Sequence, residues 1–213
     1  MTDSKTSELA LDYRLLPAED VVKAFNNENA EYPESEAASL ENLIYRQAVA
    51  PLLFLGCYTQ SPATSSGREQ QRQQTQDEKA GGETLVGYIV STQSSDKSLT
   101  HSSMSTHDPR GTSVCIHSVC VAGAYQRRGI ARAMLKEYLR HLQLLNASAT
   151  LLVPSSSSED SAAKDSPFYF ERVLLIAHKE LIDLYSGAGF ELVGKSEVEH
   201  GPDPWYEMVY CLR

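Results

Sequence analysis

The segment from residue 113 to residue 145 constrains the fold of this chain more than any other. Residues 113–121 alternate between two sets of side chains, as in a β-strand whose two faces meet different surroundings. Residues 129–145 carry apolar side chains at the spacing of a packed amphipathic helix. A strand that leads through a short turn into a helix is typical of α/β folds, so we predict an α/β (α+β) chain.

Further strands and helices are predicted on both sides of this unit. The predicted strands are residues 9–16, 52–58, 84–91, 172–177, 190–193 and 206–212, and the predicted helices are residues 17–27, 33–50 and 178–186. Gly187 and Gly189 are expected to end the last helix, because glycine adopts a left-handed conformation at little cost. This order predicts a mixed central sheet flanked by helices. The sequence shows no internal repeat, which argues against a solenoid fold.

Three polar tracts interrupt the pattern, at about residues 60–83, 92–106 and 146–168. They are rich in Ser, Gln and Gly and contain few apolar residues, so burial cannot offset the entropy lost on ordering them. We predict that they are flexible insertions in a single domain of residues 1–213, with a brief strand at residues 150–153. A length of 213 residues is in the range of one domain.

Charge and cysteine content exclude several classes of protein. A formal charge of −9 disfavours binding to nucleic acid or anionic membranes and is compatible with a cationic small substrate. The four cysteines lack CxxC spacing, the first residues are polar, and no apolar run approaches the roughly 20 residues that span a bilayer. We expect reduced thiols, no metal, and a cytoplasmic monomer without nucleic-acid or membrane partners.

The connection between the strand and the helix is a candidate phosphate site. Its residues are Gln126, Arg127, Arg128, Gly129, Ile130, Ala131 and Arg132. The first N–H groups of a helix have no partner within the helix and lie at the positive end of its dipole, and a glycine there lets a pyrophosphate approach the backbone. The motif is neither a Walker loop nor a Rossmann fingerprint. A solvated basic turn before an amphipathic helix is the alternative that the local pattern leaves open.

This string resembles the Q/R-x-x-G-x-G/A signature of GNAT acetyltransferases, in which loop amides hold the pyrophosphate of coenzyme A. Four other segments resemble the arylalkylamine (serotonin) N-acetyltransferase family and its fungal members. They are residues 31–33, 107–121, 139–142 and 175–190. The resemblance covers nearly all of residues 9–212 apart from the polar tracts. It implies the GNAT acyl-CoA N-acyltransferase fold and acetyl-CoA as co-substrate.

Acetyl transfer to an amine gives two side chains a chemical role. The amine must be neutral to attack, its ammonium has a pKa of roughly 10, and a histidine with an ordinary pKa of about 6.5 suits the removal of a proton. By resemblance His117 is this general base, acting through water, and Tyr185 protonates the departing thiolate. A buried hydrogen bond for His117 and simple ring packing for Tyr185 are the structural alternatives.

The resemblance also implies the remaining site residues. The pantetheine arm would pair with the backbone of Val119, Cys120 and Val121. Cys115 stands where the family has a second histidine, so the paired-histidine relay is absent. We place Cys115, Pro33 and Ile176 on the substrate side. An acyl-cysteine intermediate at Cys115 or Cys120 is disfavoured, because strand cysteines are usually inert and no base lies nearby in sequence.

Several activities remain open at this point. The resemblance favours an arylalkylamine such as serotonin or tryptamine as the acceptor. A polyamine would need several carboxylates, which Glu31, Glu34 and Glu36 could supply. Acidic residues at the start of a helix, however, usually stabilise the helix by interacting with the positive end of its dipole. Protein-lysine acetylation uses the same chemistry. A non-catalytic module that only binds coenzyme A is the alternative of another class; the loss of histidine at position 115 supports it, and His117 and Tyr185 argue against it.

Overall fold

The computed structural model describes residues 9–60, 82–151, 169–198 and 203–212. In this part of the chain seven strands form one sheet: β1 Leu11–Leu15, β2 Phe54–Gln60, β3 Glu83–Ser94, β4 Ser113–Val121, β5 Arg172–Ala177, β6 Glu191–Lys195 and β7 Tyr206–Cys211. The helices are α1 Val21–Glu31, α2 Leu40–Val49, α3 His101–Ser105, α4 Ile130–Leu151 and α5 Ile182–Ser186. No helix of the described residues is long and apolar enough to cross a membrane.

The sheet is mixed and has the order β1-β2-β3-β4-β5-β7-β6. Neighbouring strands are antiparallel except for β4 and β5, which run parallel. Helices α4 and α5 pack on one face, in the main hydrophobic core. Helices α1 and α2 cover the other face in a second core, and α3 lies over a third, smaller cluster around Cys115. The predicted mixed sheet flanked by helices is therefore confirmed.

Strands β4 and β5 are paired over only three residues. Their register runs from Ser113 opposite Arg172 to Cys115 opposite Leu174, and beyond that point the two strands separate. Strand β4 also contains a bulge, because Ile116 pairs with Ser91 of β3 and Ser118 with Val90. The register therefore skips His117, which lies between them. A gap thus opens in the middle of the sheet beside an irregular stretch of β4.

The second polar tract, residues 92–106, is predicted wrongly as a flexible insertion. Strand β3 continues to Ser94, and α3 begins after Thr100, whose hydroxyl accepts the N–H of Ser103 in a capping box. The tract is ordered by hydrogen bonds, since the Gln93 side chain donates to two carbonyls in the 109–111 turn and Ser113 donates to Asp96 O at 2.6 Å. Buried polar side chains with partners replace the apolar contacts that the prediction required.

Other element boundaries also differ from the predictions. Helix α4 continues to Leu151, so the third tract does not start at residue 146 and no strand forms at residues 150–151; residues 152–168 lie outside the described part. Helix α2 begins only after Ser39, whose hydroxyl caps it. Gly187 is right-handed at φ −67°, whereas Gly189 has φ 104°. Most of the first tract, residues 61–81, also lies outside the described residues.

Candidate active site

A cleft of about 980 Å³ lies where β4 separates from β5, beside the first turn of α4. Nine of the ten residues that were predicted to bind the coenzyme line it: Val119, Cys120, Val121, Gln126, Arg127, Gly129, Ile130, Ala131 and Arg132. The tenth, Arg128, is absent from this lining, and its guanidinium lies 5.8 Å from the ring centre of Tyr125. The structure thus brings the strand edge and the basic loop together at one opening.

The loop before α4 has the backbone of an anion site. Arg127 and Gly129 have positive φ angles of 62° and 79°. Among the described residues, no atom beyond the two chain neighbours and the backbone of the same helix lies within 4 Å of the position that a β-carbon at Gly129 would occupy. The first helical bond is donated by Ala133 to Gly129 O, so the preceding amides have no acceptor within the helix. A helix of 22 residues adds a full dipole at this end. The arrangement favours a bound anion.

The edge of β4 that faces the gap is contacted by two side chains. The Tyr32 hydroxyl donates to Val119 O at 3.0 Å, and Gln126 Nε2 donates to Val121 O at 2.9 Å. The same Gln126 nitrogen lies 2.7 Å from Glu31 Oε2, while Glu31 Oε1 accepts the N–H of Gly123 at 2.7 Å. The side chain of Gln126 is therefore engaged by protein groups, and its contribution to an anion site rests on its backbone.

A second cleft of about 340 Å³ adjoins the first, and His117, Tyr185 and Ile176 line it. Nε2 of the half-buried His117 lies 2.8 Å from Thr92 Oγ1, which orients the imidazole. Tyr185 is buried in the main core, and this desolvation raises its pKa to about 12. The phenol therefore keeps its proton at any physiological pH and is a hydrogen-bond donor. Pro33 lines the larger cleft instead.

The cysteines near the site are buried thiols. Cys115 lines neither cleft and packs against Leu99, Leu174 and Val198, and burial raises its pKa to about 12. Burial likewise raises the pKa of Cys120 well above its usual value. A thiol with so high a pKa contains almost no thiolate at neutral pH, which disfavours an acyl-cysteine intermediate. Cys115 therefore has no direct access to a substrate in either cleft.

Residues 54–163, just over half of the chain, match the model of the acetyltransferase (GNAT) family. The chain belongs to the GNAT acetyltransferase family. The matched segment contains β2, β3, β4 and α4, and of these β4 and α4 line the larger cleft. No curated protein matches the sequence.

Solved structures share the fold of this GNAT chain at low sequence identity. The GphF GNAT-like decarboxylase in complex with isobutyryl-CoA is 13% identical, with 95% of this chain and 100% of that chain covered and a TM-score of 0.63. NAA60 of Arabidopsis thaliana with a bisubstrate analogue is 16% identical, with 96% and 100% covered and a TM-score of 0.56. The structure of yncA of Salmonella typhimurium with acetyl-CoA is 14% identical, with 96% of this chain and 95% of that chain covered and a TM-score of 0.55. At these identities the likeness shows the fold.

One side chain of this GNAT chain that the sequence analysis overlooked lines both clefts. His178 follows directly after β5, its Nε2 lies 3.2 Å from Glu36 Oε2, and its ring stacks on Trp205 with the ring centres 3.9 Å apart. Glu36 was considered only as one acid in a charged run. The available signal was the position of a histidine at the carboxyl end of a predicted strand, where site residues often lie.

A second overlooked group is the carboxylate of Glu28, which is buried between α1 and the sheet. Glu28 accepts hydrogen bonds from the hydroxyls of Tyr88 and Ser118 and from the N–H of Ala38. Ser118 is the residue next to His117, so this carboxylate fixes the bulge of β4 against α1 and the 32–39 connection. Its role in this GNAT chain is to hold the wall of the smaller cleft.

Proposed function

We propose that this GNAT acetyltransferase transfers the acetyl group of acetyl-CoA to the primary amine of an arylalkylamine such as serotonin or tryptamine. One observation carries the proposal: the cleft at the start of α4 and the cleft at His117 and Tyr185 adjoin at the gap between β4 and β5. They share five lining residues: Tyr32, Glu36, Val119, His178 and Leu181. A donor in one cleft and an acceptor in the other would meet at this shared wall.

The residues of the larger cleft fit coenzyme A. Arg127, Arg132 and the first amides of α4 supply positive charge and N–H donors for a pyrophosphate. The carbonyls of Val119 and Val121 already accept from side chains, so we propose that the pantetheine arm is held by the N–H groups of the same strand edge. The volume of about 980 Å³ is at the upper end of the range for ligand sites.

The smaller cleft favours an aromatic monoamine. Tyr32, Tyr185 and Trp205 supply aromatic surface, which suits an indole or phenyl ring and a nearby ammonium group. Among its described lining residues Glu36 is the single carboxylate, and Arg46 adds a positive charge. A polyamine would need several carboxylates for its extended charges. The lining therefore supports an arylalkylamine over spermine.

The chemistry then follows from the proposed roles of two side chains. His117, oriented by Thr92, accepts a proton from the ammonium group through a water molecule, so that the neutral amine can attack the thioester carbonyl. Tyr185, which its raised pKa keeps protonated, donates a hydrogen bond to the departing sulfur, passes its proton to that sulfur and recovers a proton from water. No covalent enzyme intermediate is required.

A free-thiol assay with a panel of amines tests the proposal, together with calorimetry of acetyl-CoA binding. We expect kcat/KM for tryptamine to exceed that for spermine and for a lysine peptide by at least about tenfold, which corresponds to about 1.4 kcal/mol. Faster turnover of spermine or of the peptide would show that this compound, and not an arylalkylamine, is the preferred acceptor. Binding of acetyl-CoA without turnover of any amine would instead favour the non-catalytic coenzyme-binding module.

A further inference from the structure

We propose that His178, oriented by Glu36, is a second proton acceptor in the acetyl transfer; this inference rests on the proposed function. His178 is at the junction of the two clefts, where the amine nitrogen would meet the thioester. The His178 and Glu36 side chains expose only 18% and 12% of their surface. A largely buried imidazole–carboxylate pair at this position is poorly explained as a surface ion pair.

The acylated nitrogen has a second proton to lose, and a second base at the site would take it. An alkylammonium nitrogen loses one proton to become nucleophilic and another when the new C–N bond becomes an amide, while the departing sulfur gains one. In the proposed function His117 takes the first proton, and Tyr185 supplies the proton that the sulfur gains. Cys115, which stands in place of a second histidine, is a buried thiol outside both clefts and cannot take the other proton. His178 is a histidine that lines the site from the opposite strand.

The contacts of His178 set its tautomer. A carboxylate only accepts hydrogen bonds, so in the neutral imidazole Nε2 carries the hydrogen that faces Glu36, and the Nδ1 lone pair remains to accept a proton. The stacked Trp205 ring holds the imidazole plane. In the proposed step the N–H bond of the acylated nitrogen breaks and an Nδ1–H bond forms. The imidazole, still in contact with Glu36 through Nε2, then releases this proton to water through the larger cleft.

His178→Ala tests the role of the imidazole. With tryptamine we expect kcat to fall by about 100-fold, within the range for loss of a general base, while the acetyl-CoA Kd measured by calorimetry changes less than about twofold. Added imidazole should restore part of the lost rate, because a free base can enter the space left by the side chain. A structural role for His178 would give no such rescue.

Glu36→Gln tests the orienting role of the carboxylate. The substitution should lower kcat in the wild-type background. In the His178→Ala background it should leave kcat nearly unchanged, because Glu36 acts through the imidazole. Glu34→Gln, an exposed acid two residues away that lines neither cleft, is the matched control and should leave kcat unchanged. Equal effects of Glu36→Gln in both backgrounds would overturn the orienting role.

Nitrogen NMR of the labelled wild-type protein gives a readout that needs no variant. The imidazole of His178 should be the Nε2–H tautomer when neutral, and an Nδ1–H tautomer would overturn the proposal. The two ideas fail in different ways. A wild-type protein that acetylates no amine refutes the proposed function and the inference with it, whereas an active wild type with undiminished His178→Ala activity refutes the inference alone.

Discussion

At the scale of single residues, the two predicted acid–base side chains have different surroundings that suit different tasks. His117 is half-buried at a strand bulge and has a hydroxyl partner, whereas Tyr185 is in the core behind the same cleft. Burial raises the pKa of the phenol to about 12, so the proton of Tyr185 is retained until it is needed. Both roles remain predictions, because their basis is the position of each side chain in the cleft.

Replacing Tyr185 by phenylalanine removes the hydroxyl and keeps the ring that packs on Phe190. We expect kcat to fall by about 10- to 100-fold, at the low end of acid–base effects, with little change in acetyl-CoA affinity or melting temperature. Steady-state kinetics, calorimetry and a thermal melt measure the three quantities. A large loss of affinity at constant kcat would assign the phenol to binding instead of proton donation.

Replacing Gly187 by alanine tests the position of Arg132 in the coenzyme cleft. The backbone of Gly187 has a right-handed helical conformation, which alanine also adopts. The added methyl group would, however, lie 2.8 Å from the guanidinium carbon of Arg132 and displace that side chain. We expect the Kd for acetyl-CoA to rise by about tenfold, because a hydrogen bond to a charged group contributes about 1.5 kcal/mol, and we expect the melting temperature to stay nearly unchanged.

Arg132→Ala is the control for the Gly187 variant. It should reproduce the loss of affinity, and the double variant should lose no more than Arg132→Ala alone. If Gly187→Ala binds acetyl-CoA as tightly as the wild type does, the guanidinium of Arg132 makes no contribution to the pyrophosphate site.

At the scale of elements, the unit of β4, its loop and α4 could be predicted from the sequence. The elements that precede it along the chain, α3 and the end of β3, could not. The alternation of residues 113–121 and the helical spacing after Gly129 are local signals, and both elements form. Helix α3 and the end of β3 were missed because their polar side chains are stabilised by partners from the 109–111 turn. Such partners are separated in sequence, so composition alone predicts a loop.

Replacing Gly129 by proline should disable the amino end of α4 as an anion site. Proline requires φ near −65°, whereas Gly129 has φ 79°, and proline also lacks the N–H donor. We expect calorimetry to detect no acetyl-CoA binding. Gly129→Ala is the matched variant: the open space at this position accepts a methyl group, and the positive φ costs about 1 kcal/mol. Unchanged affinity of the proline variant would refute the phosphate-loop interpretation.

At the scale of the whole molecule, the site is a product of sheet topology. The short pairing of β4 with β5 places α4, β5 and the start of α2 around one gap. We propose that residues 1–213 form a single domain around this sheet. The first polar tract connects β2 to β3 at the end of the sheet where Gln60 and Glu83 are opposite partners.

Deleting most of this tract tests whether it contributes to the fold or the site. Because Gln60 and Glu83 are paired, a two-residue Asn-Gly turn in place of residues 61–82 can close the hairpin. We expect kcat/KM to stay within about twofold and the free energy of unfolding to rise by up to about 2 kcal/mol through reduced loop entropy. A Gly/Ser linker of equal length is the control. Loss of activity with both replacements would assign the tract to the functional site.

The sequence by itself determined the class of fold, the basic loop at the start of α4 and the identity of two candidate acid–base residues. These depend on periodicity, on a glycine with positive φ and on motif resemblance, all of which are carried by neighbouring residues. Only the tertiary structure decided where β4 and β5 separate and which side chains close the gap. His178 and Glu36 are 142 positions apart, and their contact exists because β5 ends at the same opening that the connection between α1 and α2 lines.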